Sequence, residues 1–387
     1  MKNAIYMDYQ SSKSVDPEVL EEMMPFFSTK FANASALHFD GDIATKALEE
    51  SREKVASFIK AENPNEIIFT PGATSSNNLA IIGSAMRNRK KGNHIIISEV
   101  EHISIHNISK YLQKNGFEIS KVPVDIHGVA RPDKLKELLR DDTILISIQY
   151  ANNEIGTIQP VAEISEIARE KGMLFHTDAV AAEGLLPVDV IKDRIDLLTL
   201  SSNDIYGPRG LGALYIRKGV YVSPVIIGGG QERGLHSGTE DIASIVGMAK
   251  AAQIAERKME EESKRLQELR DYLIKNILDI IPRSYLNGHP EKRLPNNAHF
   301  RFDYIEGESL LLSLKDEGIS ISTGSACSSK TLEPSHTLMA TGLLHEEAHG
   351  SLEVTLGRYS TKDDVDRLIN VLPGVVKRLR ELSPLTG

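Results

Sequence analysis

Apolar residues recur along this chain in two rhythms. Between about residues 40 and 240, short β-branched runs alternate with stretches of helical period: EIIFT (66–70), HIIIS (94–98), TILISIQ (143–149), LFHTD (174–178) and DLLTLS (196–201). Nearly continuous apolar strands separated by amphipathic helices specify βαβ units, and hence a largely parallel sheet covered on both faces. Ligands of such sheets bind beyond the carboxyl ends of the strands. Gly72, Glu101, Asn152, Asp178 and Ser201 stand at or just past those ends.

From about Asp241 to Ile281 the period is helical without a break. Leu266, Leu269, Leu273, Ile277 and Ile280 share one face, with Glu260/Lys264 and Glu261/Arg265 at i,i+4 spacing. This segment reads as a connector between domains. Beyond it lies the pattern of a smaller α+β domain: a strand at 298–302, a helix from near Gly307, a Gly/Ser-rich loop at 323–330, a strand at 351–355 and a C-terminal helix capped near Thr361.

Composition narrows the class. The 387 residues are 41% hydrophobic and 26% charged, an ordinary globular profile with room for two or three domains. A formal net charge of -9 supplies no basic field for a phosphate backbone, so nucleic acid is not expected as a partner. The N-terminus MKNAIYMDYQ has no apolar signal core, and no apolar run approaches the ~18 residues of a membrane span. The expectation is a cytoplasmic protein without membrane contact.

Several segments carry candidate chemistry. Thr70–Asn78 joins a strand to a helix through small and hydroxyl residues. Exposed amides and the Thr74 hydroxyl suit a phosphate, although an ordinary capped βα turn has the same composition. His102 follows one strand and Asp178 ends another. A carboxylate there can keep a heteroaromatic nitrogen protonated, and an imidazole can stack on the same ring or shuttle protons. His345-Glu-Glu-Ala-His349 matches a zinc-protease pattern, but Gly350 and a strand-like run follow at once, so no zinc is expected. The single cysteine, Cys327, lies in Thr323-Gly-Ser-Ala-Cys-Ser-Ser-Lys330. Small polar neighbours and a nearby lysine describe a solvent-reachable, reactive thiol rather than core filler.

Taken together and in order, PGATSSNN (71–78), EH (101–102), NNEIGTIQP (152–160), HTDA (176–179), SSNDIYGPRG (201–210), GGGQERGLHSGT (228–239) and GSACSS (324–329) closely resemble the cysteine desulfurase family of the IscS/NifS type, across essentially the whole chain. The resemblance implies a homodimeric fold type I pyridoxal-phosphate enzyme of iron-sulfur cluster assembly. It implies a large cofactor-binding α/β domain over 16–260 with a mainly parallel, seven-stranded sheet. A smaller α+β domain, built from 1–15 and 261–387, would carry the cysteine loop. By the same resemblance Ala73, Thr74 and Ser201 hold the cofactor phosphate, with a residue near Thr239 from the other subunit. His102 stacks on the pyridine ring, Asp178 pairs with its nitrogen and Asn153 contacts its phenolic oxygen. Cys327 is the thiol that attacks the substrate sulfur and carries the persulfide.

The departures from the family pattern fall where the chemistry is. Family members read S-x-H-K-I-Y-G-P; here 201–208 read SSNDIYGP, so the Schiff-base lysine is Asp204 and the histidine before it is Asn203. A carboxylate cannot form an imine with an aldehyde. The glutamine expected after D-A-V is Ala181, and the arginine that grips the substrate carboxylate is Glu353. Like charges about 4 Å apart at an effective dielectric near 20 repel by roughly 4 kcal/mol, so cysteine binding in the family's pose should weaken by several powers of ten. An early A-T-T-P is replaced by Ser11-Ser-Lys-Ser14, which brings Lys13 near the expected site.

The leading expectation is therefore an iron-sulfur assembly protein that binds pyridoxal phosphate non-covalently and turns over cysteine little or not at all. Cys327 would act as a sulfur (persulfide) carrier, or as one metal ligand of an iron-sulfur cluster shared with an IscU-like scaffold that supplies the other three. A second reading is a working desulfurase in which Lys13 or another amine replaces the lysine, or Asp204 serves as the catalytic base. A third is a non-catalytic structural paralogue.

Overall fold

The computed structural model describes residues 4–324 and 334–383. Its strands are β1 (Ile5–Tyr6), β2 (Ile67–Thr70), β3 (His94–Ser98), β4 (Glu118–Val122), β5 (Thr143–Ser147), β6 (Leu174–Asp178), β7 (Leu197–Ser201), β8 (Gly212–Ile216), β9 (Ser284–Asn287), β10 (Asn297–Phe302), β11 (Ile319–Ser320) and β12 (Ser351–Thr355). A seven-stranded sheet runs in the order β2-β8-β7-β6-β5-β3-β4. From β7 to β4 the pairings are parallel, whereas β8 is antiparallel to both β7 and β2.

Alternation along the strands explains the continuous apolar runs. Ile96 faces one core with Phe69, Ile146 and Leu198, while its neighbours Ile95 and Ile97 face the other with Ile68, Leu145 and Leu197. Both sides are covered, so both carry apolar residues. Two strands of this seven-stranded sheet escaped the sequence reading. β4, at the sheet's edge, has sequence EISKV and pairs only with β3, leaving polar positions in water. β8 follows the Pro208-Arg-Gly210 turn so closely that its five residues did not separate from the loop.

The helix Ile242–Ile280 has 39 residues and Asp241 as N-cap, its carboxylate accepting from the Ser244 backbone amide. At 1.5 Å per residue it is about 58 Å long, enough to serve two cores. Ile245, Met248 and Ile254 pack under the large sheet. Leu266, Leu273 and Ile277 enter a separate core with Met7, Phe300, Phe302, Leu310, Leu352 and Leu368. That second core covers the antiparallel sheet β12-β10-β9, and the chain start returns to it as β1 pairs parallel with β11. The last helix, Lys362–Leu382, opens with a capping box between Thr361 and Asp364.

The His345–His349 helix has five residues, and the described residues contain no group of three or more His, Cys, Asp or Glu placed to hold a metal ion. No helix among them is long and apolar enough to cross a membrane. Cys327 and Lys330 lie outside the described residues.

Candidate active site

A cavity of about 400 Å³ opens where the carboxyl ends of the central strands meet the small domain. Among the residues singled out from the sequence, Gly72, Ala73, Thr74, His102, Asn153, Asp178, Ala181, Ser201, Asn203, Asp204 and Glu353 line it. Thr239 is exposed and not part of this lining, being expected to act from a second subunit.

One end is built for an anion. The helix Ala73–Asn88 begins at Gly72, whose φ of 94 suits glycine, and its N-terminus carries no side-chain cap. The first amides of a 16-residue helix thus face the cavity with the partial positive charge of the helix dipole. The turn is laid directly on β8: a Cβ at Gly212 would come 2.7 Å from the Gly72 carbonyl carbon and 2.9 Å from the Ala73 nitrogen.

The wall is polar and cross-braced. Asp178, at the end of β6, accepts from Asn77 Nδ2 at 2.8 Å and from the Val180 amide at 3.1 Å. His102 caps the helix Ile103–Lys114, its Nδ1 accepting from the Ser104 amide at 3.2 Å. Behind them Glu101 is fully buried; one oxygen accepts from Ser98 Oγ at 2.5 Å and the Gln149 amide at 2.9 Å, and the other has no partner among the described residues. Burial pushes its carboxyl up to about 8. His176, the histidine of HTDA, points away from this chemistry: it bridges Ser147 and Thr199 inside the sheet, and burial lowers it to about 3.

The floor holds the position at which the sequence resemblance leads to the expectation of a replaced lysine. Asp204 is buried and lines the cavity, its carboxyl raised by burial and opposed by the charge of Lys13 and a hydrogen bond from Ser201. Lys13 does not line the cavity. It lies behind Asp204, its ammonium donating to the Asp204 backbone carbonyl at 2.5 Å in a narrow space shared with Glu262 and Arg358. Burial lowers Lys13, against the pull of Asp204 and Glu183. The Lys13 amine, expected as a surrogate in the second reading, is engaged beneath the floor rather than in the cavity. Glu183 completes this layer, one oxygen accepting from the Ser201 amide at 2.7 Å and the other unpartnered among the described residues.

The small domain contributes Ser322, Gly324 and Glu353. Glu353 is 4% exposed, so its carboxyl is inside the protein rather than on a rim. Burial, then the charges of Glu154 and Asp8, hold it well above the usual range. Glu154 is itself raised to about 7 by burial, despite accepting from Ser335 Oγ at 2.7 Å. The site thus presents the carboxyls of Asp178, Asp204 and Glu353, and no lysine or arginine among the described residues that line it.

Asn77, Gln149 and Glu183 were not found from sequence. Asn77 sits one helical turn after Ala73 in the PGATSSNN segment, a spacing that could have revealed it; Gln149 and Glu183 had no signal beyond their places after strands.

This fold and site define a class before they define a protein. A family model for aminotransferase class-V matches residues 5–368, and the α/β architecture around a mainly parallel sheet is that of pyridoxal-phosphate fold type I structures. The chain is 57% identical to cysteine desulfurase IscS 1 of Archaeoglobus fulgidus over 98% of this chain and 99% of that protein. Cysteine desulfurase IscS of Methanosarcina thermophila is 51% identical over 99% of this chain and 94% of that one. A NifS-like protein of known structure superimposes with a TM-score of 0.91 at 36% identity, over 97% of this chain and 100% of that one. The chain belongs to the IscS/NifS family of cysteine desulfurases.

Proposed function

We propose that this protein serves iron-sulfur cluster assembly as a desulfurase-like body that holds pyridoxal phosphate non-covalently and does not turn over free cysteine. The observation that carries this reading is the cavity lining: a carboxyl, Asp204, replaces the anchoring amine, and no other lysine among the described residues reaches the cavity. The residues present fit the cofactor. The uncapped turn at Gly72–Thr74 would hold its phosphate, Asp178 its ring nitrogen, Asn153 its phenolic oxygen and His102 its face. Bound there, the cofactor supplies an electron sink for carbanion chemistry.

Asn77 keeps Asp178 in place through its 2.8 Å bond. Glu353, near Glu154 in a buried acidic corner, offers no positive charge to the α-carboxylate of an amino acid. Cys327 would then act toward a partner, as persulfide carrier or as the fourth ligand of a cluster held on an IscU-like scaffold. A homodimer is part of the proposal, and the exposure of Phe31 (76%), Phe39 (76%) and Ile227 (86%) supports a protein-covered face.

The test is sulfide release from cysteine by the purified protein, alongside anaerobic cluster formation with a scaffold. The expected result is negligible sulfide, a cluster absorption spectrum in the presence of the scaffold, and loss of that spectrum in Cys327→Ala. Robust sulfide release would overturn the proposal and favour Asp204 as a working base, whose raised carboxyl supports that second reading. A cluster that forms unimpaired with Cys327→Ala would favour a purely structural role.

A further inference from the structure

The cavity's charge points to the form of ligand it takes. One end offers uncapped helix amides suited to a phosphate. The rest presents three carboxyls, Asp178, Asp204 and Glu353, with no lysine or arginine among the described lining residues to balance them. Asp178 has its own donors in Asn77 and Val180. Asp204 has hydrogen bonds from Ser201 and Asn203 and feels the charge of Lys13, but makes no ion pair among the described residues: Lys13 donates its ammonium to the Asp204 backbone carbonyl and does not line the cavity. Glu183, with one oxygen unpartnered among the described residues, lies in the same layer and supplies no cation, its carboxyl held well above the usual range by burial.

A buried carboxyl that makes no ion pair keeps a high cost for its ionised form, and a cationic ligand group that pairs with it lowers that cost. An aldehyde brings no such charge and no donor, so beside Asp204 it gains nothing and leaves the carboxyl unpaired. A primary ammonium brings both.

We infer that the cavity selects the amine form of the phosphorylated pyridine cofactor, pyridoxamine 5′-phosphate, over the aldehyde pyridoxal 5′-phosphate, with Asp204 as the residue that discriminates. This rests on the proposed cofactor pocket and specifies which form occupies it. Asp204 is a specificity determinant here and needs no covalent step: binding is reversible association of an ammonium with a carboxylate, one of the stronger hydrogen-bonded pairs in proteins.

The experiment is equilibrium dialysis of the full-length protein, stripped of bound cofactor, against each compound separately, with bound ligand read by its own absorption. The expected result is affinity on the order of tenfold or more in favour of pyridoxamine phosphate. Asp204→Asn, nearly identical in shape, should erase most of that preference while retaining pyridoxal phosphate affinity, and Asp204→Lys should reverse it. Equal or tighter binding of the aldehyde by the unaltered protein overturns the inference and leaves the proposed function standing. So does a preference that survives in Asp204→Asn. If neither compound binds, the cofactor pocket itself is refuted and both fall.

Discussion

Glu101→Gln offers a quantitative test of how the site's wall is built. Glu101 is 0% exposed, and its carboxyl is raised from 4.5 to about 8, chiefly by burial. Below about pH 4.5 the folded and unfolded chains both keep this proton, and nothing is lost. Between there and about pH 8 the unfolded chain releases it while the folded chain holds it, so stability falls as pH rises. Above about pH 8 both are ionised and the loss levels off. At about 1.4 kcal/mol per pH unit the accumulated loss has a ceiling of about 5 kcal/mol.

Glutamine keeps the shape and the oxygen that accepts from the Gln149 amide, but cannot ionise. The assay is urea unfolding of both proteins from about pH 5 to about pH 9, taking the difference in unfolding free energy between them at each pH, which cancels other titrating groups. The variant should gain on the parent progressively across this range, by one to several kcal/mol in all. A difference that does not change with pH would refute the reasoning and mean that water or an unrecognised cation solvates this carboxylate.

Three further perturbations probe neighbouring layers. Asn77→Ala removes the 2.8 Å donor to Asp178 and should lower stability by about 1–3 kcal/mol, read as a lower urea midpoint. Glu232 accepts from both terminal nitrogens of Arg52, at 2.9 and 2.8 Å, and from the Phe69 amide at 2.8 Å; Glu232→Ala strands a buried guanidinium and should cost about 3–5 kcal/mol in the same measurement, with Glu232→Gln losing less. Gly212→Ala drives a methyl into the Gly72–Ala73 backbone and should weaken binding of phosphate-bearing ligands in equilibrium dialysis more than it lowers thermal stability.

Much of the site was legible because strand-end chemistry is local. Ala73, Thr74, His102, Asp178 and Ser201 each follow an apolar run by fixed offsets, and parallel strands bring all their carboxyl ends to one edge. Asn153 and Glu353 came from motif resemblance, and both line the same cavity. Lys13 shows where such reading stops. Its proximity to Asp204 was anticipated, but not the side from which it approaches, since a lysine stem spans several ångströms and its direction is set by packing against Tyr206, Glu262 and Arg358. Glu183 and Gln149 were invisible for a related reason: buried polar residues pair with backbone groups far away in sequence, and no local period marks them.

By itself, then, the amino-acid order determined the layered α/β architecture and the candidate residues, because both follow from short-range periodicity and from motifs at strand ends. Through the resemblance it also led to the expectation that Asp204 stands in place of a lysine and Glu353 in place of an arginine. Only the tertiary structure decided what those replacements amount to. Whether a lone charge matters depends on what surrounds it in three dimensions. Here folding buries Asp204 and Glu353 in one cavity, turns Lys13's amine to the opposite side of the floor, and leaves the described lining acidic.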